Sequence, residues 1–222
     1  MKYEPTLFLV DDDRAVRDAL SLYLGSKGVP VTSYSSAHEF LQAYDPDRPG
    51  CLLLDIRMPG MDGLELQDTL ATSGIRIPII FITGHGDVSM AVRAIKKGAS
   101  DFLEKPFDNE ALLACIKKAM AQDIGERQRE RGEADVLIRF QQLTPRERDV
   151  MALVAEGHPN KSIAKKLAIS HRTVEIHRRR VMGKMAAESL SDLITMAVAC
   201  GVHDIKLGRD PRQPLRVGGL ST

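Results

Sequence analysis

Three apolar runs and one mixed run, each closed by a polar or charged residue, punctuate the first half of the chain. They are Leu7-Phe8-Leu9-Val10, Cys51-Leu52-Leu53-Leu54, Ile77-Pro78-Ile79-Ile80-Phe81-Ile82 and Asp101-Phe102-Leu103-Glu104. Continuous apolar stretches of this length read as strands covered on both faces. Between them apolar residues fall at helical spacing: Val16, Ala19, Leu20, Tyr23 and Leu24; Phe40 and Leu41; Leu64, Leu66 and Leu70; Val88, Ala91, Ala94 and Ile95; Leu112, Leu113, Ile116 and Ala119. The alternation predicts an α/β domain over residues 1–121, a five-stranded parallel (βα)5 sheet doubly wound by helices on both faces.

The pattern then changes twice. Residues 122–140 are dominated by Asp123, Glu126, Arg127, Arg129, Glu130, Arg131 and Glu133, with Gly125 and Gly132 among them. This reads as a charged linker, partly helical where the last helix runs on. From residue 141 strand signals vanish and helix starts take over. Thr144-Pro145-Arg146-Glu147 combines an N-cap, Pro at the first helical position and Glu three after the cap. Asn160 is expected to cap Ile163–Leu167, Ser170 the segment from His171, and Ser189 with Asp192 the last helix. Four short helices over 141–206 result, followed by a Gly/Pro-rich tail, 207–222, predicted to be disordered.

Charge separates the two halves. Among the 222 residues the net charge is only +1. Residues 1–121 carry 13 Lys and Arg against 17 Asp and Glu, whereas residues 141–206 carry 11 against 7. Different partners are implied for each half. Cys51, Cys115 and Cys200 are far apart with no paired spacing, so neither a disulfide framework nor a zinc site is indicated. No apolar run approaches the ~20 residues that span a bilayer, and a cytoplasmic location is expected.

Five residues in the acidic half stand at strand ends: Asp11, Asp12, Asp55, Thr83 and Lys105. Open α/β sheets bind ligands beyond the carboxyl ends of their strands, so these five are predicted to share one crevice. Three carboxylates raise one another's pKa and require a cation. An all-oxygen set of low count suits Mg²⁺ or Mn²⁺, which keeps waters and welcomes a phosphate oxygen. Lys105 adds a positive charge and Thr83 a hydroxyl, an arrangement suited to phosphoryl transfer. Asp55, on the middle strand, is the natural nucleophile. Each residue alone has a plainer reading as a turn, cap or surface group; it is the set that carries the argument.

The segments Phe8-Leu9-Val10-Asp11-Asp12-Asp13, Leu53-Leu54-Asp55-Ile56-Arg57-Met58-Pro59-Gly60-Met61-Asp62-Gly63, Ile82-Thr83-Gly84-His85-Gly86 and Phe102-Leu103-Glu104-Lys105-Pro106-Phe107 resemble the receiver domain of bacterial two-component response regulators. The resemblance implies that Asp55 accepts phosphate from a phosphohistidine on a sensor histidine kinase. It further implies that Asp12, Asp55 and the Arg57 carbonyl ligate Mg²⁺, with Asp11 acting through water. Thr83 would move to the phosphoryl group, Phe102 would be the aromatic that swings inward, and Lys105-Pro106 would be a cis peptide bond.

In the basic half, a wheel of about 100° per residue places Val174, Val181 and Met185 on one face of the segment from His171. Arg172, Glu175, Ile176, Arg179 and Gly183 fall opposite. A capped helix and the short connection Ala168-Ile169-Ser170 precede it, the layout in which a second helix enters the DNA major groove. As hypotheses, Arg179 pairs with guanine, Glu175 accepts from cytosine and Ile176 meets a thymine methyl. Arg172, Thr173, His177, Arg178, Arg180 and Lys184, with Asn160 and Lys161 upstream, are expected at phosphates. Leu143-Thr144-Pro145-Arg146-Glu147-Arg148, Gly157, Asn160-Lys161, Ile163-Ala164 and Thr173-Val174-Glu175-Ile176-His177 resemble the LuxR-type helix-turn-helix domain. Together the two resemblances point to the NarL/FixJ class: a phosphorylation-dependent regulator of transcription, not an enzyme in the turnover sense, homodimeric when phosphorylated. A haloacid-dehalogenase-like Mg²⁺ phosphatase is the competing reading. Its first-strand motif, however, needs Thr or Val where Asp11-Asp12-Asp13-Arg14-Ala15 has neither.

Overall fold

The computed structural model describes residues 3–84 and 88–202. His85 and Gly86 of the motifs above, and the tail expected to be disordered, lie outside the described residues. The chain divides into two units, Met1–Arg129 and Glu130–Thr222.

The first unit runs β1 (Thr6–Val10), α1 (Arg14–Ser26), β2 (Val31–Tyr34), α2 (Ala37–Ala43), β3 (Gly50–Asp55), α3 (Gly63–Thr72), β4 (Ile79–Thr83), α4 (Val88–Lys96) and β5 (Asp101–Glu104), then enters α5 (Asn109–Gln141). All pairings are parallel, in the order β2-β1-β3-β4-β5. β1, β3 and β4 are buried at every residue, as their unbroken apolar runs require. β2 lies at the sheet edge and is mostly half-exposed, which explains why no apolar run announced it.

Alternate strand residues feed two cores. Phe8, Val10, Leu52, Leu54 and Phe81 pack with Phe40 of α2, Leu66 and Leu70 of α3 and Ala94 of α4. Leu7, Leu9, Leu53, Ile80 and Ile82 pack with Leu20 and Leu24 of α1 and Leu112 and Ile116 of α5. The period-two switch of direction along each strand thus gives the doubly wound α/β sheet directly. Asp13 caps α1 by accepting from Ala15 N at 2.8 Å, so the polar run after β1 both ends the strand and starts the helix.

α5 departs from the expected linker. It is helical without a break through residues 122–140, where only partial helicity was anticipated. Gly125 and Gly132 each cost about 1 kcal/mol relative to Ala, but Glu, Arg and Ala around them are good helix formers. Pairs one turn apart add to this, Gln122 with Glu126 at 2.9 Å and Arg127 with Asp123 at 2.8 Å. Asp123 is not a solvated linker charge. It is 3% exposed, its Oδ2 also accepts from Gly50 N at 2.9 Å, and Arg127 Nη1 donates to Pro46 O at 2.7 Å.

The second unit contains α6 (Pro145–Ala155), α7 (Asn160–Leu167), α8 (His171–Met185) and α9 (Leu190–Ala199). Its core gathers Phe140, Leu143, Val150, Leu153, Ile163, Leu167, Val174, Val181, Met185, Leu193 and Ala197. Capping boxes start α6 at Thr144 and α9 at Ser189, and Ser170 caps α8 through Thr173 N. Asn160 does not cap α7. Pro159 occupies that position with no side-chain bond, its carbonyl accepting from Ser162 N and Ile163 N, and Asn160 is the first helical residue. Among the described residues no helix is long and apolar enough to cross a membrane.

Candidate functional site

Asp11 directly follows β1, and Asp55 ends the adjacent β3. Both side chains are removed from solvent, at 1% and 6% residue exposure. Asp11 Oδ1 accepts from Asp13 N at 2.9 Å and Asp55 Oδ2 from Arg57 N at 2.7 Å, so backbone amides just past each strand fix the carboxylates. Lys105 Nζ stands between them, 2.8 Å from Asp11 Oδ2 and 2.9 Å from Asp55 Oδ1. The lysine is aimed from β5 by its own N–H, which donates to Thr83 O at 2.7 Å, and its bond to Pro106 is cis. Thr83 ends β4 and is 1% exposed. Phe102 pairs with Phe81 across β4 and β5 and is half-buried against the core. Gly63 opens α3 against this site; a Cβ there would meet Asp55 O at 2.4 Å, so only glycine allows the approach.

The expectation that three carboxylates meet is corrected. Among the described residues no group of three or more His, Cys, Asp and Glu is gathered. Asp11 and Asp55 converge on Lys105, whereas Asp12 is exposed and lines an open cavity of about 530 Å³ with Arg57, Met58, Asp62 and Met90. Asp12 sits in a bend just past the strand, on the cavity that Arg57 and Met58 also line.

Electrostatics of the cluster are unbalanced. Burial most strongly pushes the Asp55 carboxyl above its usual value, and repulsion from Asp11 adds to this; Lys105 and the Arg57 N–H oppose without cancelling it. Burial pulls Lys105 down, yet its bonds and charge attraction to Asp11 and Asp55 outweigh that and hold the ammonium above the usual lysine value. One ammonium shared between two acids explains both directions: the lysine collects two partners while Asp55 has half of one. The donor set, hard carboxylate oxygens with negative charge to spare and Asp12 and Arg57 on the adjoining cavity, fits a small divalent cation.

In the second unit, Val174, Val181 and Met185 of α8 are buried, and Arg172, Glu175, Ile176, Arg179 and Arg180 are exposed. Ile176 is 42% exposed, an aliphatic group on a charged face. Thr173, His177 and Arg178 are intermediate, and Lys161 of α7 is exposed. Asn160 Oδ1 accepts from Arg178 Nη1 at 2.9 Å, linking α7 to α8. Lys184 is half-exposed but already engaged, donating to Glu147 Oε2 at 2.6 Å and Gln142 O at 3.3 Å. Its assignment to phosphate is therefore revised: a buried carboxylate already holds the charge.

Two family models match the chain. Residues 7–117 match the response regulator receiver domain, and residues 141–197 match the bacterial regulatory proteins of the luxR family. The chain belongs to the two-component response regulators of the NarL/FixJ class. It is similar to the transcriptional regulatory protein FixJ of Rhizobium meliloti (strain 1021), with 47% identity over 197 residues, 88% of this chain and 96% of that protein. Nodulation protein W of Bradyrhizobium diazoefficiens is 46% identical over 196 residues, covering 88% and 86%. Among solved structures, the response regulator StyR superposes with a TM-score of 0.80 at 42% identity over 88% of this chain and 98% of that one. As a response regulator this chain is a phosphorylation-dependent transcriptional regulator, which sets aside the phosphatase reading.

Reading the regulator's sequence alone missed three groups of polar residues. Arg17 Nη1 donates to Asp11 O at 2.7 Å beside the crevice. Asp123 with Arg127, and Glu147 with Lys184, are the others. Arg17 carries no sequence signal of its own, Asp123 and Arg127 read as linker charges, Glu147 as part of a capping box and Lys184 as a phosphate contact; a charge at a position where the helix period places buried neighbours was the available signal.

Proposed function

We propose that Asp55 of this response regulator is the phosphoacceptor. An Asp55 carboxylate oxygen attacks the phosphorus of a phosphohistidine on a sensor histidine kinase; the P–O bond forms as the P–N bond breaks, and the imidazole leaves with the bonding pair. Lys105 supports the reading most directly, because its ammonium stands 2.9 Å from Asp55 Oδ1, where it can neutralise charge on the transferred group. Asp11, Asp12, Asp55 and the Arg57 carbonyl would hold Mg²⁺ or Mn²⁺, which supplies charge neutralisation for the equatorial oxygens. Thr83 donates its hydroxyl to the phosphoryl group and Phe102 follows inward. No small-molecule turnover accompanies this beyond slow loss of the chain's own phosphate.

The added charge biases the surface of α4, β5 and the start of α5 toward a homodimer in the cytoplasm. Two copies of α8 then meet adjacent half-sites of double-stranded DNA. Arg179, Glu175 and Ile176 read base edges, while Asn160, Lys161, Arg172, Thr173, His177, Arg178 and Arg180 face phosphates. Incubation with acetyl phosphate and Mg²⁺ tests the reading: an acid-stable, base-labile phosphate forms on the native chain and is absent from Asp55→Asn. Equal labelling of both would refute it.

A further inference from the structure

Lys184 has the charge of a phosphate contact and a place on the DNA-reading helix, yet every bond it makes runs inward. It sits in the last turn of α8, where Nζ reaches Glu147 Oε2 and the Gln142 carbonyl. Glu147 is 2% exposed, and the same Oε2 accepts from Thr144 N at 2.9 Å, so this one oxygen serves the cap of α6 and the end of α8 together. Gln142 directly follows α5, and nearby bonds repeat the connection. Arg139 Nη1 donates to Met185 O at 3.3 Å, and Arg148 Nη2 donates to Gln141 O at 3.1 Å while its guanidinium lies 5.1 Å from the centre of the Phe140 ring. The final turn of α5, the first turn of α6 and the last turn of α8 are one hydrogen-bonded knot.

We propose that Lys184 is a positioning residue for DNA recognition: it touches no phosphate, and by holding α8 to buried Glu147 and to the end of α5 it sets the angle at which Arg172, Arg179 and Arg180 meet the duplex. The inference rests on the reading of α8 as the groove helix. A lysine that left Glu147 for a phosphate would strand a carboxylate in the interior, which is strongly unfavourable. The same geometry makes the last turn of α5 part of the recognition apparatus, so a shift of that turn reaches α8 through two side chains, Lys184 and Arg139.

Salt dependence separates positioning from contact. Binding of the full chain to a mixed-sequence duplex is measured across a KCl series, with circular dichroism confirming intact helices at the assay temperature. Losing one phosphate contact flattens the slope of log K against log salt by about 0.9. Arg180→Ala is expected to show that flattening. Lys184→Met is expected to keep the native slope while weakening binding roughly 2- to 30-fold at every salt, as residues coupled to a site without touching the ligand do. Glu147→Gln, at a side chain that cannot reach DNA, should weaken binding to the same degree, and Glu147→Gln/Lys184→Met by no more than either alone. The double variant leaves no unpaired buried charge and decides the matter if a single variant unfolds. A slope flattened by Lys184→Met, or native affinity in the folded double variant, overturns the proposal. If Arg180→Ala and Lys184→Met both leave binding untouched, the assignment of α8 to the groove fails with it.

Discussion

Two sites in which a partly exposed lysine meets buried carboxylates, one in each unit, are built from the same groups and balanced in opposite senses. In the receiver, Lys105 is divided between Asp11 and Asp55, and Asp55 is held above its usual value. In the DNA-binding unit, Lys184 serves the single acid Glu147; burial pushes that carboxyl up, but Lys184 and the Thr144 N–H outweigh it and hold Glu147 below the usual carboxylate range. The first site is short of positive charge, and adding a cation or removing negative charge relieves it. The second is satisfied, and any change loosens it. A switch and a fixed joint therefore differ less in residue type than in how many acids one lysine must serve.

Neutralising the acid in each site should give opposite signs, and this is the largest effect expected. Glu147→Gln is predicted to destabilise the second unit by about 2 kcal/mol, below the 3–5 of a fully buried broken pair because Lys184 keeps access to water. Asp55→Asn is predicted to be neutral or to stabilise the first unit by on the order of 1 kcal/mol, since the buried charge and its repulsion with Asp11 both vanish while an oxygen remains for Lys105. The chain reports the two separately in urea. It has no Trp, and its four Tyr (Tyr3, Tyr23, Tyr34, Tyr44) all lie in the first unit, whereas far-ultraviolet dichroism follows helices of both. Two substitutions of the same sign would break the contrast.

What could be read from the sequence follows the same division between pattern and balance. β1, β3 and β4 were legible because strands buried on both faces cannot avoid a continuous apolar run, and the inward face of α8 because Val174, Val181 and Met185 repeat at helical spacing. β2 was not, since an edge strand needs only one covered face. The unbroken course of α5 was hidden by Gly125 and Gly132, whose local cost is outweighed by neighbours that a reading of glycine as punctuation ignores. Within the crevice, strand-end position brought Asp11, Asp55 and Lys105 to one place. It could not say that Asp12, one residue along, would line the neighbouring cavity instead. Lys184 shows the limit most clearly: composition supplies its charge, and only the fold supplies Glu147 as its partner.

Acidity sharpens the contrast at the next level. Glu147, depressed in the folded state, contributes stability that is present above its unfolded value of about 4.3 and is lost as pH falls through its lower folded value. Asp55, raised in the folded state, works the other way. Its penalty is absent below the unfolded value of about 3.9 and develops as pH rises from there through the folded value. Difference curves against Glu147→Gln and Asp55→Asn, taken from urea midpoints over an acid series, should therefore slope in opposite directions. Parallel curves would mean that the two carboxyls share an environment and that the contrast drawn from their partners is wrong.

The smallest effect concerns backbone rather than charge. In the receiver, turns at left-handed φ use glycine throughout, at Gly28, Gly60, Gly74 and Gly98, whereas the second unit uses glycine after α6 and α9, at Gly157 and Gly201, but ends α7 and α8 on Ala168 and Ala186, both at φ 52°. An alanine there brings Cβ against the following carbonyl, a strain of about 1–2 kcal/mol that glycine avoids, offset in part by glycine's greater freedom when unfolded. The last carbonyl of each helix also receives an arginine, Arg146 to Leu167 O at 3.2 Å and Arg139 to Met185 O at 3.3 Å, so side chains hold the geometry that glycine would adopt without help. Ala168→Gly and Ala186→Gly should each stabilise the second unit by roughly 0.5 kcal/mol, seen as a later dichroism transition with tyrosine fluorescence unmoved. Destabilisation by either would show that the arginine-held ends are already relaxed, and that the fixed joint owes its rigidity to Glu147 and Lys184 alone.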